Sequence, residues 1–81
     1  MTNKETYKKV FEEIFEVDGS ELNSDFTFAA VDKWDSMTHM VLISELEARF
    51  DVMFETDDIL NFGGYENGMA ILARYGVDFE G

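Results

Sequence analysis

The sequence predicts a single all-α domain of four helices, with a long loop between the first two helices and a short third helix. Apolar residues recur at helical spacing in several segments, and helix-start signals precede these segments. The 81 residues form one domain, numbered 1–81, and 46% of them are apolar. The chain has no cysteine, so these apolar side chains must supply the core without help from disulfides.

The first predicted helix begins directly after Thr2. Thr2 and Glu5 have the Thr-x-x-Glu spacing of a capping box. Apolar residues then follow at positions i, i+3, i+4, i+7 and i+8, namely Tyr7, Val10, Phe11, Ile14 and Phe15. We expect the Asp18-Gly19-Ser20 segment to end this helix, because glycine commonly stands just after a helix.

Residues 20–34 have no regular period and predict a loop. The segment has neither a proline nor a glycine cluster, and its apolar residues are scattered: Leu22, Phe26, Phe28, Val31 and Trp34. A loop of about fifteen residues is longer than most connections, and such loops tend to be functional. We therefore expect a loop that its aromatic side chains hold against the helices.

The remaining three helices are predicted from start and stop signals. The second runs from about Ser36 to Phe50, and its core stripe includes Leu42, Ile43 and Leu46. The third begins at Thr56-Asp57-Asp58, where acidic residues complement the helix dipole, and Gly63-Gly64 ends it. The fourth runs from Tyr65 to Tyr75, with Gly76 as its stop.

Ser36 is the most informative residue for function, because its hydroxyl stands at the start of a predicted helix. Free backbone N–H groups and the positive end of the helix dipole favour a phosphate at such a position. Taken alone, Asp35-Ser36 before a helix is more often a plain cap than a modification site. The long preceding loop, the small size and the acidic charge of the chain favour modification.

The segment around Ser36 resembles the attachment segment of the acyl carrier protein family. The residues that carry this resemblance are Trp34-Asp35-Ser36-Met37, Leu42-Ile43, Leu46-Glu47, Phe50 and Asp51-Val52. The likeness extends from the first helix to Gly76. In this family the serine carries 4′-phosphopantetheine, which a phosphopantetheinyl transferase transfers from coenzyme A.

This resemblance implies an acyl-carrier-type bundle that catalyses nothing itself. Ser36 would bear the phosphopantetheine, and Asp35 would cap the helix or orient the phosphate-bearing loop. The thiol of the arm would hold an acyl or aminoacyl group as a thioester for partner enzymes. D-alanyl and peptidyl carriers share this fold and serine, although peptidyl carriers more often have Gly-Gly before the serine, where this chain has Trp34-Asp35.

The charge of the chain predicts partners with basic surfaces. Its formal net charge is −12, from 18 acidic and 6 basic residues. Such a balance repels nucleic acid and anionic membranes, and it attracts basic patches. We expect the transferase and acyl-transfer enzymes to bind an apolar face formed by Met37, Met40 and Val41. The adjoining acidic surface is expected at Glu45, Glu47, Asp57 and Asp58.

The second helix departs from the pattern of fatty acid synthesis carriers. Thr38 and Val41 stand where those carriers typically have acids, and Ala48 and Arg49 replace acids near the end of the helix. This departure disfavours a role in housekeeping fatty acid synthesis. The Trp34-Asp35-Ser36-Met37 and Asp57-Asp58-Ile59-Leu60 segments more closely resemble specialised stand-alone carriers of secondary or cell-surface pathways.

The sequence also indicates where the protein acts. No segment approaches the roughly 20 apolar residues of a membrane span. The first ten residues lack the apolar stretch of a secretion signal, and the absence of cysteine fits the cytoplasm. We therefore expect a cytoplasmic monomer with no metal.

Three other functions compete with the carrier interpretation. Ser36, Asp35 and His39 could form an esterase-like site, but a G-x-S-x-G segment is absent, and we expect His39 to be a surface residue. The acidic loops fail the spacing of a calcium-binding EF-hand, and one histidine without cysteine leaves no zinc site. An acidic interaction module that is never modified remains the main alternative.

A final hypothesis concerns the cargo. A groove that could admit an acyl chain is expected among four apolar residues, namely Leu46, Ile59, Leu60 and Ile71.

Overall fold

The computed structural model describes residues 2–79 and has four α-helices within that range. They are α1 (Asn3–Phe15), α2 (Ser36–Phe50), α3 (Thr56–Asn61) and α4 (Tyr65–Arg74). A single 3-10 turn spans Gly19–Glu21, and the described residues form no β-strand. This architecture confirms the predicted all-α fold with its long loop and short third helix.

The start of α1 has the predicted capping box, but its end differs from the prediction. Glu5 N–H donates to Thr2 Oγ1 at 3.1 Å, and Thr2 N–H donates to Glu5 Oε1 at 3.1 Å. The helix ends at Phe15, where Glu16 takes a left-handed conformation with φ 54° and ψ 48°. Gly19 does not end the helix. It begins the 3-10 turn, where a Cβ atom would collide with the Lys8 side chain.

The core of the bundle is rich in aromatic rings. The rings that are almost fully buried are Tyr7, Phe11, Phe15, Phe26, Trp34, Phe54, Phe62 and Tyr65. The Tyr7 hydroxyl donates to the carbonyl oxygen of Tyr65 at 2.6 Å, and burial raises the pKa of Tyr7 well above its usual range. α4 approaches this cluster through Gly68, where a Cβ atom would collide with the Phe62 ring and the Tyr7 hydroxyl.

The long loop between α1 and α2 is attached to the start of α4. Tyr65 N–H donates to the carbonyl oxygen of Phe26 at 2.9 Å, and Phe28 N–H donates to the carbonyl oxygen of Gly63 at 2.9 Å. Trp34 is buried at the end of the loop, directly before α2. The loop is therefore held by buried aromatic side chains and backbone hydrogen bonds, as its composition predicts.

No residue of α3 is fully buried, although Ile59 packs partly buried against the core, and polar contacts join the helix to α4. Asp58 accepts hydrogen bonds from the Tyr75 hydroxyl at 2.5 Å and from Arg74 Nη2 at 2.6 Å. The hydrogen bond from Tyr75 and the charge of Arg74 lower the pKa of Asp58. Tyr75 also accepts a hydrogen bond from Glu55 N–H at 2.9 Å, so one side chain joins the beginning of α3 to the end of α4.

Candidate functional site

Ser36 is exposed and is the first residue of α2. Asp35, directly before it, caps the helix by accepting a hydrogen bond from Thr38 N–H at 2.9 Å. This hydrogen bond lowers the pKa of Asp35, so its carboxylate is ionised at neutral pH. The geometry confirms the cap that the sequence predicts, and it presents a hydroxyl at the helix N-terminus.

Exposed apolar side chains follow Ser36 along α2. Met37 is 80% exposed, and Met40 and Val41 are each about half exposed. Met40 therefore lies at the surface and not in the core. Together with Ser36, these three side chains line a shallow groove that extends along α2 to Glu45.

A second depression of about 420 Å³ adjoins Ser36 on the side of α3. Its lining residues are Phe28, Ser36, His39, Met40, Ile59, Leu60, Phe62 and Gly63. Below, we call this depression the α3 cavity. None of its lining side chains is a carboxylate, an ammonium or a guanidinium group. Ser36 and Met40 belong to both depressions, so the hydroxyl lies where two apolar surfaces meet.

Two of the four residues of the predicted acyl-chain groove line the α3 cavity. Ile59 and Leu60 line it as expected, but Leu46 and Ile71 are buried in the core and do not. Sequence reasoning missed Phe28 and Phe62 as lining residues, since neither is near Ser36 in the chain.

His39 lines the depression beside Ser36, as expected of a residue near the attachment site, but its side chain is partly buried. Trp34 Nε1 donates to His39 Nδ1 at 3.0 Å, and His39 Nε2 lies 2.8 Å from the carbonyl oxygen of Ile59. Both ring nitrogens are therefore engaged away from Ser36. Since Asp35 caps the helix, the three residues of the esterase-like alternative do not assemble into a nucleophile, base and acid.

The four predicted acidic contact residues differ in their surroundings. Glu45 lies 3.6 Å from Arg49 Nη2 in an ion pair within α2, and Asp57 is exposed. Glu47 accepts a hydrogen bond from Phe54 N–H at 2.9 Å, and Asp58 is bound to α4 as described above. Glu47 and Asp58 therefore stabilise the fold, and a partner-binding role for these four acids stays a prediction.

The described residues include neither a metal-binding cluster nor a helix suited to span a membrane. Within residues 2–79, no group of three or more histidines, cysteines or carboxylates could hold a metal ion. Each helix in this range is too short or too polar to cross a membrane.

The chain was also compared with known proteins. No protein-family model matches it, and no curated protein matches it. Its function must therefore be inferred from the residues around Ser36.

Proposed function

We propose that this protein is a carrier that holds acyl intermediates as thioesters on a 4′-phosphopantetheine arm attached to Ser36. The observation that carries this proposal is the position of the Ser36 hydroxyl. It is exposed at the first residue of α2 and lies where two apolar depressions meet. A helix N-terminus accommodates a phosphate because backbone N–H groups and the dipole favour negative charge.

The residues around Ser36 fit a phosphopantetheine group. An exposed primary hydroxyl can form the phosphodiester, and the exposed side chains of Met37 and Met40 offer apolar surface to the arm. On attachment, a bond forms between Ser36 Oγ and the pantetheine-bearing phosphorus of coenzyme A. The bond from that phosphorus to adenosine 3′,5′-bisphosphate breaks, and the serine proton passes to a base of the transferase. The attached arm supplies the thiol that holds the cargo.

The α3 cavity supports an acyl cargo over an aminoacyl one. Its walls have no carboxylate, and both nitrogens of His39 are already bonded. The ammonium group of an amino acid would lose its hydration there without gaining a partner, which costs free energy. An uncharged acyl group would instead bury apolar surface against Phe28, Ile59 and Leu60.

The surface supports partners that combine a basic patch with an apolar contact. The net charge of −12 favours encounter with basic enzymes, and exposed methionines adapt to several partner surfaces. The proposed partners are a phosphopantetheinyl transferase and the enzymes that load and transfer the acyl group. Tethering then raises the effective concentration of the cargo at each partner.

The test is the intact mass of the protein after incubation with coenzyme A and a broad-range phosphopantetheinyl transferase. We expect the increment of one phosphopantetheine in the wild type and none in Ser36→Ala. Ser44→Ala is the matched control, because Ser44 is an exposed serine on the same helix and its loss should leave the increment unchanged. A folded wild type that several transferases leave unmodified would instead favour the acidic interaction module.

A further inference from the structure

We propose that His39 is a positioning residue for the modification of Ser36, an inference that rests on the proposed function. His39 joins the end of the long loop to α3 and so holds two elements in place beside the serine. It lies one turn after Ser36 in α2, at the i+3 position of the same helix face. His39 does not bind the Ser36 hydroxyl, which stays free to react in the active site of the transferase.

The two hydrogen bonds of His39 fix its tautomer. Trp34 Nε1 can only donate, so His39 Nδ1 must accept. The carbonyl oxygen of Ile59 can only accept, so His39 Nε2 must carry the proton. The two hydrogen bonds therefore hold the imidazole ring in one defined orientation. Among the described residues, no carboxylate forms an ion pair with it.

His39 supplies a donor that α3 needs. The carbonyl oxygen of Ile59 lies in the last turn of α3, where helix carbonyls lack partners within the helix. Gly63 N–H, which stands four residues later, donates instead to Asn67 Oδ1 at 2.9 Å. Since α3 has no fully buried residue, the bond from His39 is one of the few contacts that fix α3 against α2.

The His39 ring also belongs to an aromatic wall of the α3 cavity, which it shares with Phe28 and Phe62. It stacks on Trp34 with centroids 6.2 Å apart, and it meets Phe28 edge-on at 5.9 Å. Phe62 completes the wall at 6.3 Å. Loss of the polar atoms would leave two unsatisfied groups between these rings, and Trp34 and α3 would shift on both sides of Ser36.

The experiment compares His39→Gln with His39→Leu as substrates of the transferase. Glutamine has an amide oxygen that can accept from Trp34 and an amide nitrogen that can donate to Ile59, whereas leucine has neither. We expect His39→Leu to raise the KM for the carrier about fivefold to tenfold with kcat within about twofold. His39→Gln should stay within about twofold of the wild type in both constants.

The single tryptophan of the chain gives a readout that does not depend on activity. The indole N–H resonance of Trp34 should move in His39→Leu and stay close to its wild-type position in His39→Gln. His39→Phe keeps a ring without its polar atoms and serves as the second variant if His39→Leu unfolds. Circular dichroism at the assay temperature identifies the variants that are folded.

Two outcomes would overturn the inference for different reasons. A wild-type KM in folded His39→Leu or His39→Phe, with the indole resonance displaced, would show that His39 has only a structural role and does not affect the modification of Ser36. A wild type that acquires no phosphopantetheine would overturn the proposed function, and this inference with it.

Discussion

The helices α1 and α3 belong to the same small bundle but are held in opposite ways. α1 buries Tyr7, Phe11 and Phe15 in the aromatic core. α3 buries no residue fully, leaves Leu60 76% exposed, and depends on hydrogen bonds to His39, Arg74 and Tyr75. Few buried contacts are a mark of the parts of a protein that open at low cost. The difference indicates that α3, which lies beside Ser36, can open at a lower cost than α1.

The largest effect should follow from removing a ring of the α1 side. Phe11→Ala should lower the free energy of unfolding by about 3–5 kcal/mol, because a fully buried ring leaves a cavity. Leu60→Ala on α3 should change it by no more than about 0.5 kcal/mol, since that side chain is exposed. Urea unfolding followed by circular dichroism measures both values. Similar losses in the two variants would contradict the contrast between α1 and α3.

A smaller loss of stability should follow when a methyl group is added where α4 meets the core. Gly68→Ala should destabilise the protein by about 1–3 kcal/mol, because its Cβ would collide with Phe62 and Tyr7. Gly63→Ala is the matched control, since the nearest atom to its Cβ would be the carbonyl oxygen of Asn61 at an ordinary 3.8 Å. Thermal unfolding of the two variants gives the comparison. Equal unfolding midpoints for the two variants would contradict this prediction, because they would mean that the core rearranges to accommodate the methyl group at Gly68.

The polar attachment of α3 should appear as a small pH-dependent contribution to stability. Tyr75 and Arg74 lower the pKa of Asp58 in the folded protein. The ionised carboxylate therefore stabilises the fold above the ordinary aspartate pKa of about 3.9. This contribution is lost as the pH falls through the lowered folded-state value. The melting temperature of the wild type should exceed that of Asp58→Asn at pH 7, and the gap should shrink below about pH 4.

A gap of the same size at both pH values would contradict this account of Asp58. Asp57→Asn is a suitable control, because Asp57 is an exposed neighbour on the same helix. Its substitution should leave the pH dependence close to that of the wild type.

The helices could be predicted from the sequence because caps and apolar spacing depend only on residues that are close together in the chain. The Thr2–Glu5 capping box, the Asp35 cap and the spacing of apolar residues in α1 are each decided within one or two turns. They were sufficient to place Ser36 at the start of α2. The end of α1 was predicted incorrectly because Glu16, rather than a glycine, takes the left-handed conformation.

The surroundings of Ser36 could not be predicted in the same way, because they depend on contacts between distant segments. Phe28 comes to the α3 cavity through a backbone hydrogen bond to Gly63, which no local pattern indicates. His39 was expected at the surface, but a buried tryptophan and a helix-end carbonyl engage both of its nitrogens. Such pairings depend on tertiary packing, which overrides the exposure expected of a lone histidine.

The most direct test of the central claim is to locate the modification by mass spectrometry of peptides from the transferase-treated protein. Trypsin cleaves after Lys33 and Arg49, so residues 34–49 form one peptide that contains both Ser36 and Ser44. Fragmentation of that peptide distinguishes the two serines. We predict the phosphopantetheine increment on Ser36 alone. An unmodified peptide, or an increment on Ser44, would contradict the assignment of Ser36 as the attachment site.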